Sequence, residues 1–468
     1  MVPRGGRGGA RDAYVERPGV TPQAPSFREA FRFWLKLGFI SFGGPAGQIA
    51  VMHRELVERR RWISERRFLH ALNYCMVLPG PEAQQLATYI GWLLHGTRGG
   101  IVAGALFVLP SLFILVALSW VYVRFGDVPA INAVLQGIKP AVVAIVLAAA
   151  WRIGSRALRH ALLWSIALAA FVALFVFALP FPLVILAAAL AGIAGGRLAP
   201  HAFAAAGHAA TAGAHASSVI DDETSTPAHA RFSRARLASV AATFLALWAA
   251  AIGALAAIFG WSSDFTQLAW FFTQAALVTF GGAYAVLPFV LQGAVDDHGW
   301  ITAVQMIDGL ALGETTPGPL IMVVAFVGFV GAWTKQLLGP DALFLAAALG
   351  ASIATLFTFL PSFLFILAGG PLVERTRDEL RLTAPLTAIT AAVVGVIANL
   401  TVFFAWRVFW PESSAQAPFS GGLEWGSVAI AAAAAIALVW RRADVIPVIG
   451  ASAAAGLALW ALGLQGAI

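Results

Sequence analysis

Apolar, charge-poor stretches of about 20 residues recur along the whole chain, and that recurrence leaves few folds open to it. They fall near 31–51, 69–94, 101–123, 131–150, 161–179 and 181–199. After a polar Ala/His/Ser-rich interval they resume near 237–260, 266–292, 303–334, 341–369, 383–406, 424–440 and 445–465. With 468 residues, 60% hydrophobic and only 11% charged, the chain has too little polar surface to cover a water-soluble core. Its solvent is therefore lipid. The stretches are continuous Ala/Leu/Val/Ile/Phe runs rather than ten-residue alternating segments, so helices and not a barrel satisfy the backbone. The sequence predicts an all-α polytopic membrane protein.

A duplication organises these segments. Shifted by 238 positions, Ser41-Phe42-Gly43-Gly44 falls on Thr279-Phe280-Gly281-Gly282, Trp62-Ile63 on Trp300-Ile301 and Pro79-Gly80-Pro81 on Pro317-Gly318-Pro319. Ten positions between 41 and 81 match without a gap. Further on the shift becomes 251: Leu109-Pro110-Ser111 meets Leu360-Pro361-Ser362, and Ala141-Val142-Val143 meets Ala392-Val393-Val394. The expected organisation is a disordered tail over 1–26, a first repeat over 27–199 and a cytoplasmic linker over 200–236. A linking transmembrane helix over 237–260 and a second repeat over 261–468 complete it.

Charge gives each copy an orientation. Loop 53–67 carries six arginines, whereas its counterpart 291–305 carries none and holds Asp296 and Asp297. Positive loops stay in the cytoplasm, so the two copies are expected to be inverted, with the N-terminus inside. Arg152, Arg156 and Arg159, then Arg231, Arg234 and Arg236, then Arg375, Arg377 and Arg381, and finally Arg441 and Arg442 mark further inside loops. Both flanks of 31–51 are basic and both flanks of 266–292 are neutral or acidic. Segments 31–51 and 69–94 and their copies are therefore expected to be re-entrant hairpins or broken helices. The net charge of +7 sits in loops and gives no nucleic-acid footprint. The single cysteine, Cys75, lies in an apolar stretch and reads as a buried, inert thiol. His201, His208, His215 and His229 lack the three- or four-residue spacing of helical ligand pairs, so no metal and no other cofactor is expected.

Two motifs carry chemistry. Phe42-Gly43-Gly44-Pro45 and Phe280-Gly281-Gly282 break a helix in mid-segment, where broken backbone is tolerated only inside protein or along a wet cavity. The half-helix that follows presents free N–H groups and a positive dipole end, an anion site without a charged side chain. Glycine pairs also serve close helix packing, but paired breaks in two inverted halves point to a transport site. Pro79-Gly80-Pro81 and Pro317-Gly318-Pro319 are further breaks. They have polar neighbours: Glu82, Gln84 and Gln85 in one half, Glu314, Thr315 and Thr316 in the other. Glu82 and Glu314 do not align and are candidates for gating or proton coupling. Lys139, whose repeat partner is Thr390, and Lys36 are candidate cations on the path, against the plainer reading of side chains reaching for the interface. Trp34, Trp62, Trp92 and Trp300 read as interfacial anchors.

Taken together, Phe42-Gly43-Gly44-Pro45, Trp62-Ile63, Leu78-Pro79-Gly80-Pro81 and Gln136-Gly137-Ile138-Lys139-Pro140 resemble the chromate ion transporter family in its long-chain, two-domain form. The resemblance implies efflux of chromate across the bacterial inner membrane, and chromate resistance. The expected partners are chromate or a related oxyanion, the lipid bilayer and a second copy in a homodimer. The second half departs from the pattern at Ala283, where the first has Pro45, and it has no equivalent of Lys139. Sulfate has the size and charge of chromate and stays open as the substrate, as does channel-like conduction. An intramembrane enzyme acting on a lipid phosphate is a further alternative, but no nucleophile–base set lies in the segments, and no catalytic residue is expected.

Overall fold

The computed structural model describes residues 23–42, 44–203, 218–222, 224, 227–375, 383–413 and 419–463. Gly43, His208, His215, Arg377, Arg381 and the first 22 residues lie outside the described residues, as does the side chain of Arg375. What is described is an all-α polytopic membrane fold. Its first half holds α1 (Phe27–Ile40), α2 (Gly44–His53), α3 (Glu65–Val77), α4 (Glu82–Phe125), α5 (Pro129–Ala157), α6 (Ala161–Phe175) and α7 (Phe181–Leu198). After α8 (Arg234–Phe259) the second half runs through α9 (Asp264–Leu277), α10 (Ala283–Leu291), α11 (Ala303–Thr315), α12 (Val323–Thr334), α13 (Leu343–Arg375), α14 (Thr383–Phe409), α15 (Trp425–Ala435) and α16 (Val445–Ala461). Among the described residues, six helical stretches are long and apolar enough to cross a membrane: 82–125, 129–157, 181–198, 234–259, 340–374 and 384–409.

The duplication reappears in detail. Helix α2 passes into a π-helical turn at Arg54–Arg59 and α10 into one at Gln292–Asp297, 238 positions apart. Their closing bonds correspond too, Trp62 N–H to the Leu56 carbonyl and Trp300 N–H to that of Ala294, both at 2.8 Å. A single-turn π bulge is rare and marks backbone that tertiary packing has specified. Ser26, Ser64, Ser263 and Thr302 cap α1, α3, α9 and α11, the last with a full capping box.

These short helices double back. The Phe33 and Trp62 rings lie 5.0 Å apart, with the Arg60 guanidinium over both, so the end of the α2 arm returns to the start of α1. Helix α4 is itself two arms: at His95 and Gly96 the backbone leaves helical geometry, with φ of +64° at Gly96. A β-carbon on Gly91 would stand 2.6 Å from the Gly99 carbonyl oxygen, so the arms cross on bare backbone. Gly328 and Gly350 make the same crossing between α12 and α13. The His95 ring then donates to the Pro25 carbonyl at 2.9 Å, which brings the α3–α4 hairpin back to the same mouth. In the second half Trp300 Nε1 and Lys335 Nζ both reach Asp264 Oδ1, at 2.7 and 2.9 Å, and gather the ends of its two hairpins likewise.

The second arm of α4 leaves the first mouth and ends with Tyr122 against Phe326 and Asp308 of the second half. Helix α13 runs the other way, about 50 Å for its 33 residues, and ends with Glu374 on Arg67 and Tyr89. The two mouths thus lie at opposite ends of the molecule. Around this centre the halves exchange partners: α5 packs on α15 and α16, and α14 on α6 and α7.

One expectation needs correcting. Trp34, Trp62, Trp92 and Trp300 are 1–3% exposed, because the returning hairpin legs stack on one another at the mouths and enclose the indoles. The linker expected over 200–236 is docked where it is described. Val219 and Ile220 pair with the strand-like turn at Arg61–Ser64, and His229 Nε2 donates to the Trp92 carbonyl at 2.9 Å, satisfying an end of the α4 arm. Cys75 is fully buried.

Candidate functional site

Four helix breaks meet between the mouths. The backbone is left-handed at Gly44 (φ +67°), Gly80 (+122°), Gly281 (+77°), Gly282 (+97°) and Gly318 (+103°), which explains glycine at each break. The tips cross between halves. The Gly80 N–H donates to the Thr279 carbonyl at 2.8 Å, and the Gly318 N–H donates to the Ser41 carbonyl at 2.7 Å. Ser41 and Thr279 are repeat counterparts, as are Gly80 and Gly318, so one relation is made twice. Each tip also presses on the long helix of the opposite half. A β-carbon at Gly80 would stand 2.4 Å from Ser362 Oγ, and one at Gly318 would stand 2.8 Å from Ser111 Cβ. Ser111 and Ser362 are themselves counterparts in the Leu-Pro-Ser motif.

The helices that begin at the mouths and those that begin at the tips are closed differently. Helices α1, α3, α9 and α11 start at the mouths and are closed by hydroxyl caps. Helices α4 and α10 start at the tips, behind Pro81 and Gly282, with no side-chain cap. Their first-turn N–H groups and positive dipole ends point into the junction.

Among the described residues, the glutamine side chains at the junction come from one half only. Gln48 Nε2 donates to the Gly318 carbonyl. Gln85 Nε2 donates to the Pro79 carbonyl at 2.7 Å and to Ser362 Oγ at 3.3 Å, and Gln84 Nε2 to Thr88 Oγ1 at 3.0 Å. Ser41 Oγ, Ser111 Oγ and the amide oxygens of Gln48, Gln84 and Gln85 are buried without a hydrogen-bond partner. Buried polar atoms seldom stay unpaired, and of these atoms the Ser41 and Ser111 hydroxyls are free to donate to a polar ligand. The counterparts of Gln48, Gln84 and Gln85 are Val286, Met322 and Val323.

The remaining sequence candidates sort by distance from this junction. Phe42 and Pro45, Pro79 and Pro81, Phe280, and Pro317 and Pro319 flank the breaks. Glu82 opens α4 directly behind the Pro81 tip and is half-buried. Glu314 closes α11 one turn before Pro317; it is buried and accepts a hydrogen bond from the Tyr284 hydroxyl. Lys36 is exposed on the outer face of α1, opposite the buried row Phe33, Trp34 and Leu37, and is not brought to the junction. Lys139 is also away from the tips: its ammonium lies 3.7 Å from Asp308 Oδ1 and 3.3 Å from Gln136 Oε1. Asp308, Tyr122, Tyr284, Gln48 and Ser111 were not singled out as site residues from sequence. The rule that marks any intramembrane carboxylate flags Asp308 as readily as Glu314.

The comparisons bear on the whole chain. Residues 28–193 and 266–457 match the family model described as Chromate transporter. A Pseudomonas aeruginosa chromate transport protein is 34% identical over 96% of this chain and 95% of its own length. The chromate transport protein of Cupriavidus metallidurans is 29% identical over 83% of this chain and 86% of its own, and a probable chromate transport protein of Synechococcus elongatus 29% over 81% and 84%. No solved structure matches. With paired helix breaks meeting between two duplicated halves and a family model covering both, this chain belongs to the chromate transporter family.

Proposed function

We propose that the chain exports chromate from the cytoplasm across the bacterial inner membrane, and so confers chromate resistance. The observation that carries this is the junction itself. The uncapped N-termini of α4 and α10 and the unpaired hydroxyls of Ser41 and Ser111 are hydrogen-bond donors at the crossed tips, and they support an oxyanion site there. The chromate relatives name the anion. The halves are read as inverted repeats, with the arginine-rich mouth at 53–67 in the cytoplasm, the second mouth outside and the tips at the middle of the bilayer. Following the chain, Arg152–Arg159, Arg231–Arg236 and Arg441–Arg442 end or begin helices on that first-mouth side, which supports the same orientation.

Export is downhill in a negative-inside cell. Each charge of a dianion gains about 2.3 kcal/mol per 100 mV on leaving, so no nucleotide is required. Glu82 and Glu314 border the tips and are the groups proposed to gate the passage or carry protons. Inside-out vesicles from cells expressing the chain test the function. Chromate uptake should rise with a lumen-positive potential and be reduced by sulfate in excess. Uptake indifferent to the sign of the potential would refute electrogenic export.

A further inference from the structure

Two buried charged clusters stand on either side of the crossed tips, and they are built differently. Toward the first mouth, Arg67 Nη2 lies 3.2 Å from Glu374 Oε2, while the Tyr89 hydroxyl donates to Glu374 Oε1 at 2.6 Å. Both bonds are closed. Toward the second mouth, the Tyr122 hydroxyl donates to Asp308 Oδ2 at 3.0 Å, but Lys139 stops 3.7 Å from Asp308 Oδ1. That oxygen is buried and has no hydrogen bond, in a residue 3% exposed. A settled ammonium–carboxylate pair closes to about 2.8 Å. The Lys139–Asp308 ion pair is longer than this and longer than Arg67–Glu374 at 3.2 Å, and Lys139 shares its ammonium with the neutral Gln136.

The cluster occurs once. The counterparts of Lys139, Asp308 and Tyr122 are Thr390, His70 and Val373, so it belongs to the side of the second mouth alone. It is joined to the tips by helix α11. Asp308 and Thr315 are seven residues apart, two turns along one stripe, and Thr315 stands just before the Pro317-Gly318-Pro319 break.

We propose that Lys139 and the Tyr122 hydroxyl form a second oxyanion subsite between the tips and the outer mouth, and that Asp308 occupies it as an internal anion which the departing substrate displaces. The inference rests on the oxyanion-export reading and adds a site to it. A tetrahedral dianion arriving from the tips offers Lys139 two charges where Asp308 offers one. It takes the ammonium and the phenol, and the return of Asp308 then expels it outward. The carboxylate acts through Lys139 and does not touch the substrate, so it is a positioning residue that sets turnover.

Purified full-length protein in proteoliposomes tests this with radiolabelled chromate, comparing wild type, Lys139→Gln, Asp308→Asn and the double variant at matched abundance. Asp308→Asn should lower the half-saturating chromate concentration about tenfold and lower the maximal rate as well, since the competitor and the expelling group are one. Lys139→Gln should raise half-saturation by about the same factor. The double variant should match Lys139→Gln alone, because Asp308 acts only through the lysine. Asp308→Ser replaces Asp308→Asn if the latter fails to accumulate. A double variant that regains wild-type transport, as a merely structural pair would allow, overturns the inference. So does unchanged half-saturation in whichever Asp308 variant accumulates. Wild-type liposomes that accumulate neither chromate nor sulfate would overturn the export reading, and this inference with it, before any variant is compared.

Discussion

At the scale of single residues, the glycines of the four breaks are not equivalent. Gly80 and Gly318 combine positive φ with immediate contact on Ser362 and Ser111, whereas Gly44 has positive φ and nothing within 4 Å of a β-carbon. Gly80→Ala and Gly318→Ala should therefore force the crossed tips apart, abolishing vesicle uptake and lowering the melting temperature of the purified protein. Gly44→Ala should suffer only the left-handed strain of about 1–2 kcal/mol and keep a folded protein. Equal loss of folded protein in Gly44→Ala and Gly80→Ala would show that the contact on Ser362 is unimportant. The glycine and proline motifs were legible because duplication printed each of them twice. Gln48 was not, since one amide in an apolar helix carries no repeat and shows its meaning only when Gly318 arrives opposite it. Asp308 is legible in principle, since the rule that marks an intramembrane carboxylate covers it as it covers Glu314.

At the scale of elements, helices that double back were foreseeable from charge: a short apolar segment with basic flanks on both sides cannot cross without exporting one of them. What sequence did not reveal is how the hairpins are pinned. Arg67 and Glu374, 307 residues apart in the chain, tie α3 to the end of α13. Arg67→Met removes one partner of a buried pair and should destabilise this mouth by about 3–5 kcal/mol, while Arg67→Met with Glu374→Leu recovers much of the loss. Melting curves in detergent decide it, and a double variant no better than the single would count against the pair. The second mouth has its own sensitivity. His298 stacks on Trp300 with ring centres 4.2 Å apart. Burial in this turn, outside the spans, lowers its basicity below the usual histidine value, with Lys335 acting in the same sense and Asp297 and Asp264 opposing it. The unfolded chain then binds the proton more readily than the folded one, so this contribution is complete above about pH 6.5 and is lost as pH falls. Thermal stability should decline on acidification through that range, and His298→Phe should flatten the decline. An identical pH profile for the variant would remove His298 as its source.

At the scale of the whole molecule, orientation is the property most open to a direct check. In a Cys75→Ser background, single cysteines placed in 53–67 should resist an impermeant thiol reagent on intact cells, and those in 293–301 should react. Equal labelling of both loops would defeat the inverted arrangement. The halves were recognisable in the sequence as copies, because aligned motifs need only one chain to compare. Their interlacing was not, because packing of α5 on α15 and α16, or of α14 on α6 and α7, leaves no mark in either segment alone. That interlacing bears on biosynthesis. When α5 enters the membrane its neighbours α15 and α16 have not been translated, and α6 and α7 must wait in turn for α14. The first half is then a client of whatever insertion machinery shelters incomplete bundles until the last two helices emerge. Two polypeptides divided between Phe203 and Ser218 should accumulate when made together, and either one alone should be degraded.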